Sequence, residues 1–236
     1  MQSYFIWNNV DSRSMGVVLS GPVAIVRPEE RVKHVEIPGR SGDLTETEGE
    51  HVYNSYIQTA TIQVISGFRV REVYKWLRGS GYVTFSTEPD RRQRARIIGA
   101  VTLNKISRGL DIWAGEVQFY CQPLKENLQT IVSTVSTSGT NVRNNGDVES
   151  YPIITATAST SSMTIEAGGN ALVITGLTSS SDYVIDCDAQ IITNTAGTAD
   201  YTANSSGNFP VLKAGNNAVT GNGWSRLLID RRERFL

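Results

Sequence analysis

Four arginines, Arg91, Arg92, Arg94 and Arg96, form the densest run of charge in the chain. On a strand side chains alternate, so Arg92, Arg94 and Arg96 share one face and present a row of forked donors to carboxylates or phosphates. Contact with DNA would call for aromatic rings interleaved with the arginines, and the run has none. Glu46, Glu48 and Glu50 alternate in the same way and offer the opposite charge. Solvated arginines, or arginines that pair with these glutamates in a neighbouring copy, are therefore the favoured reading.

Other reactive side chains form no recognisable centre. Asp186 and Asp188 flank Cys187 and could give two oxygens to calcium, which takes about six to eight, but nothing nearby supplies the rest. They read as turn or strand-end carboxylates. His34 and His51 have no cysteine or second histidine at ligand spacing and are assigned to the surface or an interface. Cys121 and Cys187 sit in apolar runs without a CxxC spacing, as buried free thiols do. The chain has no G-x-S-x-G elbow, H-E-x-x-H helix or recognisable carboxylate pair, so a non-enzymatic protein without metal or cofactor is expected. Between Pro38 and Leu44, Gly39 and Gly42 bracket Arg40 and Ser41 in a tight loop, while Pro38 ends the preceding strand. A phosphate cradle would continue into Lys-Ser/Thr and a helix; neither follows, so the loop is read as structural.

These residues need rigid elements to hold them. The 236 residues, 39% apolar and 19% charged, have the composition of a globular chain long enough for two cores. Met1 to Glu126 holds 16 Lys/Arg and 14 Asp/Glu, against 6 and 9 from Asn127 onward, so domains at 1–128 and 129–236 are expected. A net charge of −1 argues against sequence-specific or phosphate-driven nucleic-acid binding as the main task. No apolar run reaches the ~18 residues of a membrane span, and the start lacks the basic and apolar regions of a secretory signal. Folding in the cytoplasm where the chain is made, without membrane insertion, is the corresponding expectation.

Strand patterns occupy Val17 to Leu19, Val32 to Ile37, Tyr56 to Ile65, Tyr82 to Ser86, Arg94 to Leu103 and Ile112 to Cys121. In the last of these, Trp113, Val117, Phe119 and Cys121 fall on one face and Glu116, Gln118 and Tyr120 on the other. Val70, Val73, Tyr74 and Leu77 instead follow helical spacing, which predicts about three turns between Ser66 and Gly79. From Asn127 to Ser162, 14 of 36 residues are Ser or Thr, and a hinge is expected near the start of that stretch. Short β-branched runs follow at Pro152 to Thr157, Ser162 to Ala167, Ala171 to Ile174, Tyr183 to Cys187, Ala189 to Thr193 and Arg226 to Asp230. Their spacing predicts an all-β sandwich, with a hairpin turn at Gly168-Gly169-Asn170.

The run Val35-Glu36-Ile37-Pro38-Gly39-Arg40-Ser41-Gly42-Asp43-Leu44 resembles the I-P-G-R-x-G-x-L signature of the siphophage distal tail protein family. Trp76-Leu77, Phe85-Ser86-Thr87-Glu88-Pro89-Asp90-Arg91 and Phe119-Tyr120-Cys121-Gln122-Pro123 follow in the family's order. In the second half Asn144-Asn145-Gly146-Asp147, Ile185-Asp186-Cys187, Gly207-Asn208-Phe209-Pro210 and Ala214-Gly215-Asn216-Asn217 are similar too.

The resemblance implies a mainly β protein. Its N-terminal tail-tube-like β-sandwich or barrel would carry one packed helix, and its C-terminal β-sandwich would be galectin-like or carbohydrate-module-like. It also implies a homohexameric ring that ends the tail tube of a virion. Its partners would be the tail tube protein, a tail-associated tip or hub protein, and receptor-binding or baseplate proteins. The alternative is a carbohydrate-binding host-adsorption protein acting through the second domain, with Tyr183, Tyr201 and Trp224 as candidate glycan contacts, although most of the second half's aromatics, Phe209 included, are expected to be core or loop-packing residues.

Overall fold

A computed structural model describes residues 3–47, 49–65, 69–107 and 109–236. The chain forms two compact units, Met1–Leu128 and Gln129–Phe235.

The first unit contains β1 (Phe5–Trp7), β2 (Val10–Asp11), β3 (Val17–Leu19), β4 (Val32–Val35), β5 (Leu44–Thr47) and β6 (Tyr56–Val64). Then come α1 (Val70–Trp76), β7 (Ser80–Phe85), β8 (Arg91–Lys105) and β9 (Trp113–Asn127). Seven strands of this unit lie in one antiparallel sheet in the order β2-β1-β7-β8-β9-β6-β3, and β4 and β5 pair as a separate two-stranded ribbon. The sheet curls. The Leu19 amide of β3 donates to the Ser3 carbonyl just ahead of β1, 3.2 Å away, which brings the two sides of the sheet together.

Period-2 alternation explains the core. Ala60, Ile62 and Val64 on β6 and Val117, Phe119 and Cys121 on β9 point inward and are buried. Phe5, Trp7 and Phe85 close around Phe119, with ring centroids 5.6 to 5.7 Å apart. The helix is shorter than its periodicity predicts. It spans seven residues, about two turns, because Leu77 leaves helical geometry at ψ 70° and Gly79 takes a left-handed φ of 78°. The Ser66 to Phe68 part of the expected helix lies outside the described residues. Val70, Val73 and Leu77 enter the core, whereas Tyr74 is half-exposed and its hydroxyl accepts from the Leu103 amide. Trp76 stacks on Phe5 at 5.4 Å and donates through Nε1 to the Trp7 carbonyl, which locks the helix to the sheet.

The second unit begins with β10 (Val132–Val135), β11 (Thr140–Asn144), β12 (Ile153–Ala158), β13 (Ser162–Ala167) and β14 (Asn170–Thr175). It continues with β15 (Asp182–Asp186), β16 (Ile191–Asn194), β17 (Ser205–Gly207), β18 (Gly215–Asn222) and β19 (Trp224–Asp230). Two five-stranded antiparallel sheets, β10-β19-β12-β15-β16 and β11-β18-β13-β14-β17, share one apolar core and form a sandwich. Gly168 and Gly169 make the two-residue turn of the β13–β14 hairpin, with φ of 65° and 92°. The Ser/Thr-rich stretch is more ordered than its composition suggests. It supplies β10 and β11, whose Val135 and Val142 are buried, and Ser136 to Gly139 is the turn between them.

Candidate assembly surface

The segment from Glu29 to Asn54 forms an arm. At its root the Asn54 amide donates to the Glu29 carbonyl and the Arg31 amide to the Val52 carbonyl, each at 2.8 Å, and the Tyr53 side chain is buried. Further out, β4 and β5 pair from Val32↔Thr47 to Val35↔Leu44. Every residue of β5 is exposed, as are those from Glu36 to Asp43. The ribbon therefore has no core of its own. At its tip Arg40 donates its amide to the Ile37 carbonyl, and Gly39 and Gly42 both adopt φ of 81°, a left-handed conformation that favours glycine. Pro38, Arg40 and Leu44 complete the exposed loop.

The arm carries both charge and apolar surface. Glu46 and Glu50 are exposed, and Glu46 lies opposite Lys33; Glu48 lies outside the described residues. His34 sits opposite Thr45, 3.3 Å from its hydroxyl through Nδ1, and His51 takes a left-handed φ of 59° in the turn beyond β5. Leu44, 40% exposed, faces outward beside its partner Val35, with Ile37 38% exposed beyond it.

The arginine run lies on β8. Arg92, Arg94 and Arg96 alternate with buried Gln93 and Ala95, so they leave the curled sheet on its outer side. Two arginines of the run are engaged within the chain. Arg91 pairs with Asp90 and bonds the Asn127 side chain, while Arg92 reaches Glu126 at 3.1 Å and lies over the Tyr82 ring. The side chains of Arg94 and Arg96 have no ion-pair or hydrogen-bond partner among the described residues.

Their neighbours come from adjacent strands. Tyr82 is the register partner of Arg94, Tyr120 that of Arg96, and Ile57 that of Tyr120. The arginine run holds no aromatic ring, but the folded face does. Ile57 is 53% and Tyr120 42% exposed. The period-2 phase of β9 already turns Tyr120 outward; no local signal in β6 or β7 puts Ile57 and Tyr82 beside it, because pairing partners are set by the whole sheet.

In the second unit the aromatic side chains turn inward. Tyr183 is 2% exposed, its hydroxyl accepts from the Thr178 amide at 2.8 Å, and its ring meets Tyr201 edge-on. Trp224 is 9% exposed and donates from Nε1 to the Thr164 carbonyl. Tyr201 and Phe209 are partly buried against the same core. Buried rings have no face to stack on a sugar, so Tyr183 and Trp224 are corrected from glycan contacts to core residues.

Asp186 caps a turn by accepting from the amides of Asp188 and Ala189 and faces Arg232, while Asp188 faces Arg234. Both cysteines are buried free thiols, and desolvation pushes each up to about 12. Among the described residues no three His, Cys, Asp or Glu side chains stand close enough to hold a metal ion.

No sequence-family model and no curated protein matches the chain. Among solved structures it matches the SPP1 Dit protein, a paradigm of the hub adsorption apparatus in phages infecting Gram-positive hosts. The TM-score is 0.81 over 99% of both chains, at 18% identity. The chain has the Dit fold. A chain of the phage p2 baseplate, in its activated conformation with Sr, matches more loosely, with a TM-score of 0.53, 9% identity and coverage of 100% of this chain and 99% of that one. The likeness to Dit takes in both units and runs nearly end to end.

Proposed function

We propose that this chain is a structural component of the tip of a long non-contractile phage tail. It closes into a homohexameric ring that ends the tail tube and docks the tip proteins that engage the host. The observation that carries this reading is the match to SPP1 Dit along nearly the whole of both chains. A protein that shared only one module would match over one unit. The exposed arm and the outer sheet face add a physical motive, since both leave apolar side chains in water as a free monomer.

The first unit carries ring closure, because a closed ring needs two different patches on one rigid body and this unit holds both. The partners are further copies of the chain, the tail tube protein, a tail-associated tip or hub protein, and receptor-binding or baseplate proteins. The role is assembly rather than catalysis, and the protein acts in the virion after assembly in the host cytoplasm. Labelling intact virions with an antibody against this chain tests the placement: label at the distal end of the tail supports it, and label on the capsid, along the tube or nowhere contradicts it.

A further inference from the structure

We propose that the arm from Glu29 to Asn54 of one copy lies across the outer face formed by Ile57, Tyr82, Arg94, Arg96 and Tyr120 of the next copy. This rests on the assembly reading and names the two surfaces that meet.

Charge is the first reason. Residues 29–53 hold seven acids against three lysines or arginines, a net of −4. The receiving face presents Arg94 and Arg96, neither with a partner among the described residues of its own chain. Among the described residues no acid of the arm pairs with Arg94 or Arg96 of the same copy; between two copies they can neutralise each other.

Apolar surface is the second, independent reason. A two-stranded ribbon without a covering layer is marginal in water. This one exposes Leu44 beside Val35, with Ile37 close by. The receiving face exposes Ile57 and Tyr120 next to the arginines. Each surface thus has an apolar centre beside charges of opposite sign, the composition of a buried contact with a polar rim.

Size agrees. Four paired residues in β4 and β5 extend about 13 Å, and the span from β7 across β8 and β9 to β6 is about 14 Å. Because the two surfaces differ, the contact runs head to tail and passes from copy to copy.

The test is a charge exchange in the full chain, read by sedimentation. One variant carries E46K and E50K on the arm, the other R94E and R96E on the face. All four positions are exposed, and melting curves confirm folding. Each variant alone is expected to lose self-association by more than about tenfold, since like charges then face each other. An equal mixture of the two is expected to recover wild-type assemblies, and so is the quadruple variant alone, because opposite charges again meet. Folded variants that assemble like wild type overturn the proposal while leaving the assembly reading standing. Failure of both the mixture and the quadruple variant to recover also overturns it. So does a loss of duplex DNA binding by R94E/R96E with assembly unchanged, which would assign the face to nucleic acid. A wild-type chain that stays monomeric at millimolar concentration, both alone and mixed with a tail-tip partner, defeats the assembly reading and this contact with it.

Discussion

Arg96 and Tyr120 are register partners on β8 and β9, and both leave the sheet on its outer side. Buried Ala95 pairs with buried Cys121 one residue along, so the same ladder that packs the core also fixes what the outside displays. The outer face is therefore as well positioned as the core beneath it.

Ile57 beside this pair separates stability from assembly. It is more than half exposed, so Ile57→Asp is expected to change unfolding free energy by less than about 1 kcal/mol. Self-association should nevertheless fall by about tenfold or more, as expected for a charge placed in an apolar contact. Chemical denaturation and sedimentation of the same sample check both halves.

Tyr183 tests the reassignment of the second unit's aromatics. Tyr183→Phe removes the hydroxyl that accepts from the Thr178 amide and is expected to cost about 1–2 kcal/mol. Tyr183→Ala empties a fully buried site and is expected to cost about 3–5 kcal/mol. Urea denaturation measures both, and a stable Tyr183→Ala protein would mean that the ring is not packed as described.

Alkaline pH gives a signed prediction. Burial lifts Cys121 and Cys187 from an ordinary 9.0 to about 12, and Tyr56 from 10.0 to about 12. Between about pH 9 and 12 the native state keeps protons that the unfolded chain releases, so stability falls as pH rises through that window. Below about pH 9 the groups are protonated in both states and the contribution is fully present. Denaturation midpoints from about pH 8 to 11 should decline, less steeply for a Cys121→Ala/Cys187→Ala variant. At about pH 8 neither thiol should react with a thiol reagent until the protein unfolds.

Much of this molecule was legible in its residues. Periodicity placed most of the major strands, the inward face of β9 and the glycine hairpin, because burial on one face of a sheet imposes a period of two. Helix length was not legible, since Leu77 turns out of the helix under tertiary packing while keeping helical spacing. β10 and β11 hid in Ser/Thr-rich sequence. Val135, Val142 and Asn144 are buried there, while Ser133 and Thr140 share their inward phase and stay partly exposed, so few apolar residues mark the two strands. Glu233 was missed altogether. It is buried where it accepts from the backbone and side chain of Asn145 and pairs with Arg231, but Asn145 lies 88 residues away in sequence. The arginine face was half legible: alternation put the arginines together, whereas Tyr82, Tyr120 and Ile57 join them only through pairing of four strands.

The glycines of the arm tip separate local strain from global stability. Gly39 and Gly42 have φ of 81° and open space where a Cβ would go, so valine meets backbone strain of about 1–3 kcal/mol that the exposed tip relieves by shifting. The melting temperature should barely move, while assembly through the arm weakens. At Gly168, φ is 65° and a Cβ would stand 2.1 Å from the Val211 carbonyl oxygen, so Gly168→Val should destabilise the sandwich outright. Thermal melts beside sedimentation distinguish the two sites.

The most direct measurement is the mass and symmetry of the purified full-length chain, by analytical ultracentrifugation and electron-microscope class averages, alone and mixed with a tail-tip partner. A closed ring of six copies is expected. A monomer under every condition, or open chains that never close, would contradict it.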